Sequence, residues 1–261
     1  MEEVNRKRRR KNSGAIRLDR AYFAVRHFFQ KMISRIKGQT FYGHKYFNTI
    51  LSQALEGLNQ QSDISDHLGA IFYFTMDAAP GLIVELGTRE GESTRALLAA
   101  AFITNSTLLS IDVDDCSQIS VPFCEHWQFV KADDVDFAGT PFRDWCRDFA
   151  FKPVIDVLFI DTSHEYEHTK KELEVWSKYL SEQATIILHD TNMGEGIYTR
   201  NDGSTGVGWN NQRGVMRALE EFVGRRYDEK SFFFDVTDTF SLIHFPNCNG
   251  LMVVKKMGNN A

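Results

Sequence analysis

From Leu82 onward the chain alternates short, nearly continuous apolar runs with stretches of helical periodicity, and few folds accommodate that rhythm. The runs are Leu82-Ile83-Val84, Leu108 to Ile111, Trp127 to Val130, Val154 to Ile160 and Ala184 to Leu188. Helical patterns fall between them at about 92–103, 141–149 and 165–180. A strand that is apolar at every position is buried on both faces, which calls for helices above and below a mainly parallel sheet. After a helix expected over 214–222, Phe240 to His244 and Leu251 to Val254 are separated only by a short turn containing Pro246-Asn247 and Asn249-Gly250. That spacing suits a hairpin, so the last strand should run antiparallel. Residues 81–261 are therefore expected to form a doubly wound α/β domain. Its sheet should be mostly parallel and seven-stranded, closed by an antiparallel C-terminal hairpin.

The region before Gly81 reads differently. Residues 1–19 are polar, basic and without periodicity, the pattern of a flexible tail. From 20 to 37, Tyr22, Val25, Phe29, Met32, Ile33 and Ile36 recur at helical spacing, with Arg26, Lys31 and Arg35 on the polar side. Such a helix can lie on an anionic lipid surface or pack against the core or a second subunit. Further helical patterns cover about 46–59 and 65–78, so 20–80 is read as a helical extension, a cap over the main domain or an interface in a homo-oligomer.

Charge and composition narrow the function classes. The first 37 residues carry twelve Lys or Arg against three acids, net +9, which leaves −14 on the remaining 224 residues. An acidic body argues against nucleic acid as the substrate of the main domain. No run of 18 apolar residues is present to span a membrane, and no apolar stretch follows the basic N-terminus as in a secretory signal. Cys116, Cys124, Cys146 and Cys248 are far apart with no CxxC pair, as expected of reduced thiols in a cytoplasmic enzyme.

In open α/β sheets ligands bind at the carboxyl ends of the strands. The residues just after each apolar run are Glu85 to Ser93, Asp112, Asp133-Asp134, Asp161 to His164 and His189 to Asn192, five polar clusters at five strand ends. The first is E-x-G-x-x-x-G: Gly87 and Gly91 let the backbone approach a ligand, while Glu85 offers a negative charge that an ammonium group would welcome. Asp112 stands where a carboxylate accepts both hydroxyls of a ribose, and Asp133 where an exocyclic amine can be met. Ammonium, ribose and adenine together describe S-adenosylmethionine.

With Val84-Glu85-Leu86-Gly87, Ser93-Thr94, Phe159-Ile160-Asp161-x-x-His164-x-Tyr166, Leu188-His189-Asp190, the 214–222 helix and Asn249-Gly250-Leu251, residues 82–256 resemble a class I S-adenosylmethionine-dependent methyltransferase of Rossmann-like fold. Within that class the chain is similar to the group of macrocin-type O-methyltransferases and so-called cephalosporin hydroxylases. The resemblance implies that Gly87 and Thr88 line the methionine portion, that Ser93 bonds its carboxylate, and that the acceptor is a small hydroxylated metabolite such as a sugar or polyketide.

The fourth and fifth clusters carry the expected chemistry. The acceptor oxygen must lose a proton to become a good nucleophile, and a hard cation such as Mg²⁺ lowers its pKa. Asp161 and Asp190 are expected to end adjacent strands and share that ion, with His189 beside them as a third metal-binding candidate. His164, three residues beyond Asp161, is the candidate base, with an ordinary imidazole pKa of ~6.5. Two departures from related patterns stand out: Thr191 separates Asp190 from Asn192, and a histidine, not an acid, precedes Asp190. Each residue also has a structural alternative, Asp161 as the cap of the next helix and His164 bonded to a backbone carbonyl. His168 and Lys170-Lys171 fall on a helix face read as solvated, without a role. Residues 191–212, with five glycines, are expected to form a lid in which Tyr198, Arg200 and Trp209 can hold substrate. A hydroxylase ranks lower because no 2-His-1-carboxylate triad is convincingly spaced in the sequence, and a silent cofactor-binding scaffold is disfavoured by the intact Asp161, His164 and Asp190.

Overall fold

The computed structural model describes residues 41–56, 58, 62–193, 197–199, 205–207 and 213–258. The expected tail, the amphipathic helix of 20–37, Arg200, Trp209 and the side chain of Tyr198 lie outside the described residues.

Two helices, α1 (Phe41–Ala54) and α2 (Leu68–Ala78), precede β1 (Leu82–Leu86), α3 (Glu92–Thr104), β2 (Thr107–Asp112) and β3 (Trp127–Lys131). Then come α4 (Asp134–Phe137), α5 (Thr140–Asp148), β4 (Ile155–Ile160), α6 (Tyr166–Trp176) and β5 (Leu180–His189). A small antiparallel pair, β6 (Ile197–Thr199) and β7 (Thr205–Val207), leads to α7 (Gly214–Val223), β8 (Phe233–Val236), β9 (Phe240–Phe245) and β10 (Leu251–Lys256). The main sheet has the order β3-β2-β1-β4-β5-β10-β9-β8. Strands β1 to β5 are parallel, and β10, β9 and β8 continue the sheet antiparallel. All seven expected strands are present; the sheet has eight because Phe233–Val236 adds an edge strand. Its four positions are only half-buried, and it starts within the aromatic cluster Phe232-Phe233-Phe234, which the sequence leaves open between a strand and an interface core.

Alternate residues of the central strands feed two cores. Ile83, Val157 and Ile187 face α1, α2 and α3 through Phe47, Ile71, Phe72 and Leu97. Val84, Leu158 and Ile186 face the other helices through Phe142, Leu173, Trp176 and Leu219. Ile71 and Phe72 are fully buried, so the described part of the extension, 41–78, is integral to the domain core instead of a detachable cap. A chain beginning at Gly81 would expose that face of the sheet, and several large side chains at about 1.5–3 kcal/mol each exceed the stability of an ordinary domain. It is expected to show no cooperative thermal transition by circular dichroism. A sharp melt near that of the full chain would contradict this. No helix among the described residues is long and apolar enough to cross a membrane.

The order of strands reverses between β1 and β4, and the carboxyl ends of the strands at such a switch point are where an open α/β sheet offers its ligand crevice. Gly87 turns away from β1 at φ +85°, and a Cβ on it would lie 1.9 Å from the carbonyl oxygen of Asp161. Only glycine permits the two strand ends to approach this closely.

Candidate active site

The crevice is lined first by the β1 turn. Glu85 is fully buried, and its carboxylate accepts hydrogen bonds from Ser93 Oγ (2.7 Å), Thr94 Oγ1 (2.9 and 3.1 Å) and Ser110 Oγ (2.5 Å). Burial pushes its pKa up to about 7 against the pull of those hydroxyls. The expected ionic contact of Glu85 with a ligand ammonium, and of the Ser93 hydroxyl with a ligand carboxylate, therefore has no opening here: Glu85 and Ser93 are turned to each other and tie α3 to β1. Gly91 is the left-handed residue that caps α3. Thr88 is buried, and its hydroxyl has no hydrogen-bond partner among the described residues. A buried orphan hydroxyl at this turn fits a polar ligand group.

Asp112, at the end of β2, accepts from the amides of Thr88 (2.7 Å), Arg89 (3.0 Å) and Asp114 (2.9 Å). It organises the β1 turn, and a ribose diol would have to share its oxygens with those amides. Asp133 caps α4, accepting from the amide of Asp136 at 2.9 Å, and is exposed.

Asp161 and Asp190 end the adjacent parallel strands β4 and β5. Between them stand two imidazoles. His164 Nε2 is 2.7 Å from Asp190 Oδ2 and 3.4 Å from Asp161 Oδ1. His189 Nδ1 is 3.3 Å from Asp190 Oδ2 and 3.5 Å from Asp161 Oδ1. Asp161 thus caps no helix, and His164 bonds a carboxylate, not a carbonyl. Both His164 (φ +62°) and Asp190 (φ +57°) sit in the left-handed region, a cost of order 1–3 kcal/mol that persists only where the surroundings enforce it. Burial alone would lower the pKa of His164, but Asp190 and Asp161 outweigh it and carry it up to about 10. His189 is likewise held well above the ordinary value by the two carboxylates. Burial would raise Asp190, yet the two imidazoles keep it well below the usual range. The expected imidazole pKa near neutrality is therefore not that of His164 facing two bare carboxylates.

A brace stands behind this quartet. His189 Nε2 meets the carbonyls of Asp63 (3.2 Å) and Cys248 (3.1 Å), and the His67 ring packs edge-on against His189 at 5.6 Å. The amide of Asn192 donates to Asn249 O (2.6 Å), its side chain donates to Pro246 O (2.7 Å), and Thr191 Oγ1 meets His244 Nε2 (3.0 Å). Thr191 and Asn192 thus fix the backbone beside Asp190 and leave the quartet to other residues. Gly250 (φ +89°) admits this contact, since a Cβ there would lie 2.5 Å from the Asn192 amide.

His168 is not on a solvated face. Its Nε2 lies 3.2 Å from Asp134 Oδ1 and 3.5 Å from Glu172 Oε1, and Thr162 Oγ1 donates to Glu172 at 2.8 Å. Burial pushes Glu172 up to about 7, while Asp134 and Glu172 raise His168 to about 10. The only signal in the sequence was the i, i+4 spacing of His168 and Glu172; Asp134 joins them only in three dimensions.

Comparison with known proteins agrees with the fold. A family model described as a methyltransferase domain matches residues 84–191. Residues 84–191 are a class I methyltransferase domain. Its donor class is S-adenosylmethionine-dependent. Among solved structures, the chain is similar in fold to an O-methyltransferase from Bacillus cereus in complex with SAH, at 12% identity over 81% of this chain and 89% of that one, TM-score 0.50. It is also similar to cofactor-bound Rv0187 from MTB, at 14% identity over 87% and 97% of the two chains, TM-score 0.52. A third is MycE from the mycinamycin biosynthetic pathway, in complex with Mg, SAH and mycinamycin VI, at 13% identity over 88% and 62%, TM-score 0.51. No curated protein sequence matches the chain. The matched stretch ends at Thr191, so Asp161, His164, His189 and Asp190 all fall inside it.

Proposed function

We propose that this chain is an O-methyltransferase that moves the methyl group of S-adenosylmethionine to a hydroxyl of a small molecule, with Asp161, His164, His189 and Asp190 as its reaction centre. The observation that carries the reading is the convergence of these four side chains, 2.7–3.5 Å apart, beside the Gly87 turn. A silent scaffold would have no use for two strained residues and a buried quartet. The O-methyltransferase from Bacillus cereus in complex with SAH, and MycE in complex with Mg, SAH and mycinamycin VI, point the same way.

In this reading Gly87, Thr88, Asp112 and Asp133 hold the cofactor, and Glu85 and Ser93 keep the turn in shape. Methyl transfer is an in-line displacement, so the acceptor oxygen must be held on the axis of the breaking bond. Asp161, 24% exposed at the side chain, is the member of the quartet that reaches the crevice. His164 receives the acceptor's proton once the field of the facing carboxylates is balanced. A divalent cation held by Asp161 and Asp190 would supply that balance, together with the Lewis acidity that lowers the pKa of a nearby hydroxyl. The acceptor class we favour is a sugar, polyketide or similar metabolite.

The test is calorimetry with S-adenosylmethionine and S-adenosylhomocysteine, followed by S-adenosylhomocysteine formation on a panel of hydroxylated metabolites. Asp112→Ala removes the ribose acceptor and three loop hydrogen bonds. It is expected to weaken cofactor binding by about 1.5–3 kcal/mol, roughly 10- to 100-fold in Kd. An unchanged Kd would mean that the ribose sits elsewhere. No binding of either cofactor to the wild type would end the methyltransferase reading of the site.

A further inference from the structure

Four donor atoms close a ring at the ends of β4 and β5. Its edges run Asp161 Oδ1 to His164 Nε2, 3.4 Å; His164 Nε2 to Asp190 Oδ2, 2.7 Å; Asp190 Oδ2 to His189 Nδ1, 3.3 Å; and His189 Nδ1 back to Asp161 Oδ1, 3.5 Å. Neighbouring ligands on an ion with bonds of about 2.1 Å stand about 3 Å apart, so the ring has the size of a coordination shell. Half of its donors are nitrogen.

His189 decides how that shell is to be read. Its side chain is 1% exposed, and its Nε2 faces the carbonyl oxygens of Asp63 and Cys248. Carbonyl oxygens only accept, so Nε2 carries a hydrogen and Nδ1 is the atom presented to the two carboxylate oxygens, 3.3 Å from Asp190 and 3.5 Å from Asp161. A ring whose far nitrogen is anchored on backbone carbonyls is also the arrangement that fixes the tautomer of a ligating histidine. Mg²⁺ takes oxygen ligands and keeps several waters, whereas imidazole suits first-row transition ions. Asp190 and His189 are almost wholly buried and leave little room for a hydrated ion.

We propose that the cation of this site is a first-row transition ion of the Mn²⁺-to-Zn²⁺ series in place of Mg²⁺, with His189 Nδ1 as a ligand alongside Asp161 and Asp190. The proposal rests on the cation-assisted reading above and narrows it to an ion class other than the Mg²⁺ expected from the sequence. It also explains a histidine where a carboxylate would serve a hard ion better.

The test uses the full chain, stripped of metal, titrated calorimetrically with Mn²⁺, Zn²⁺ and Mg²⁺, with Mn²⁺ also followed by pulsed electron paramagnetic resonance. Mn²⁺ and Zn²⁺ are expected to bind at least about 100-fold more tightly than Mg²⁺, as ligand softness orders them. The bound Mn²⁺ should show ¹⁴N modulation from imidazole, diminished in His189→Gln. His189→Asp should shift the preference back toward Mg²⁺ by about tenfold or more, since the donors are then harder. Equal or tighter Mg²⁺ binding, the absence of ¹⁴N coupling in the wild type, or no binding of any ion (two imidazolium–carboxylate pairs and nothing more) would each overturn it. The resonance measurement on the wild type stands even where the buried variants fail to fold. S-adenosylmethionine binding measured on the same samples separates the two readings: ion binding without cofactor binding removes the methyl-transfer reading and leaves this one standing.

Discussion

Asp190→Asn is expected to reduce methyl transfer on the order of 10³-fold, the several kcal/mol that a metal-organising carboxylate contributes at about 1.4 kcal/mol per tenfold. The reason is the central place of Asp190 in the quartet, where Oδ2 lies 2.7 Å from His164 and 3.3 Å from His189. An amide has no charge to balance either imidazole and offers a nitrogen where an oxygen is needed. Because the side chain is 1% exposed, the substitution should also cost stability, up to the 3–5 kcal/mol typical of a broken buried pair. Asp161→Asn supplies the control. It has the same charge change, but Asp161 is 24% exposed and its contacts are longer, so the loss in melting temperature should be smaller for a comparable loss of rate. Cofactor affinity should stay within about tenfold of wild type in both, since neither carboxylate is placed at the ribose end. The rate is read as S-adenosylhomocysteine formation with the acceptor chosen from the metabolite panel, with and without chelator. Chelation of the wild type should reproduce the loss of rate without the loss of fold. If Asp161→Asn is folded and turns over normally in chelator, the two carboxylates do not form the reaction centre.

The central sheet could be read from the sequence because its strands are buried on both faces. Ile83, Val84, Leu158 and Ile187 are fully buried, and a strand with no solvated side leaves an unbroken apolar run. Strand β8 was harder to see for the opposite reason: Phe232 is 60% exposed and packs on Phe245, while Phe233 stacks on Tyr227. Two adjacent phenylalanines there serve two different surroundings. Among site residues, Asp161 and Asp190 were legible because parallel neighbours place their first polar residues at one end of the sheet. His168 was not, because its partner Asp134 comes from α4, which follows another strand. Glu85 was legible as a site residue but not in its role. Nothing in E-x-G-x-x-x-G tells that Ser93, Thr94 and Ser110 will turn their hydroxyls on it. Both histidines and both aspartates of the quartet were named from the sequence, but the brace behind them was missed for a related reason. Ligand spacing along a chain identifies a site built on one element, and this one is built on two strand ends, with a brace from Asp63 and Cys248 far away in sequence.

His164→Ala is expected to lower kcat by roughly 10² to 10⁴-fold, the usual worth of a general base, with KM for the acceptor changed far less. The geometry gives the reason: His164 is held at φ +62°, with Nε2 directed to Asp190, and only 14% of its side chain is exposed. His164→Gln tests whether the ring acts on the acceptor or only positions Asp190. Glutamine can still donate to the carboxylate but cannot take a proton at neutral pH. If His164 is only a positioning residue, glutamine should keep the rate within about tenfold of wild type; as the base, glutamine should be as poor as alanine. The two roles also differ in stability. In the metal-stripped protein the folded-state pKa of His164 is carried to about 10, above the ~6.5 of the unfolded chain. Its ion pair therefore contributes full stability below pH 6.5 and loses it as pH rises through 10. The urea midpoint of the stripped wild type should fall over that window more steeply than that of His164→Gln, which has no proton to lose. Adding the bound ion should flatten the wild-type curve, because the positive charge facing Asp190 then no longer depends on a proton. Parallel pH slopes in the two proteins, together with a glutamine variant that turns over at the wild-type rate, would take the proton-transfer role away from His164.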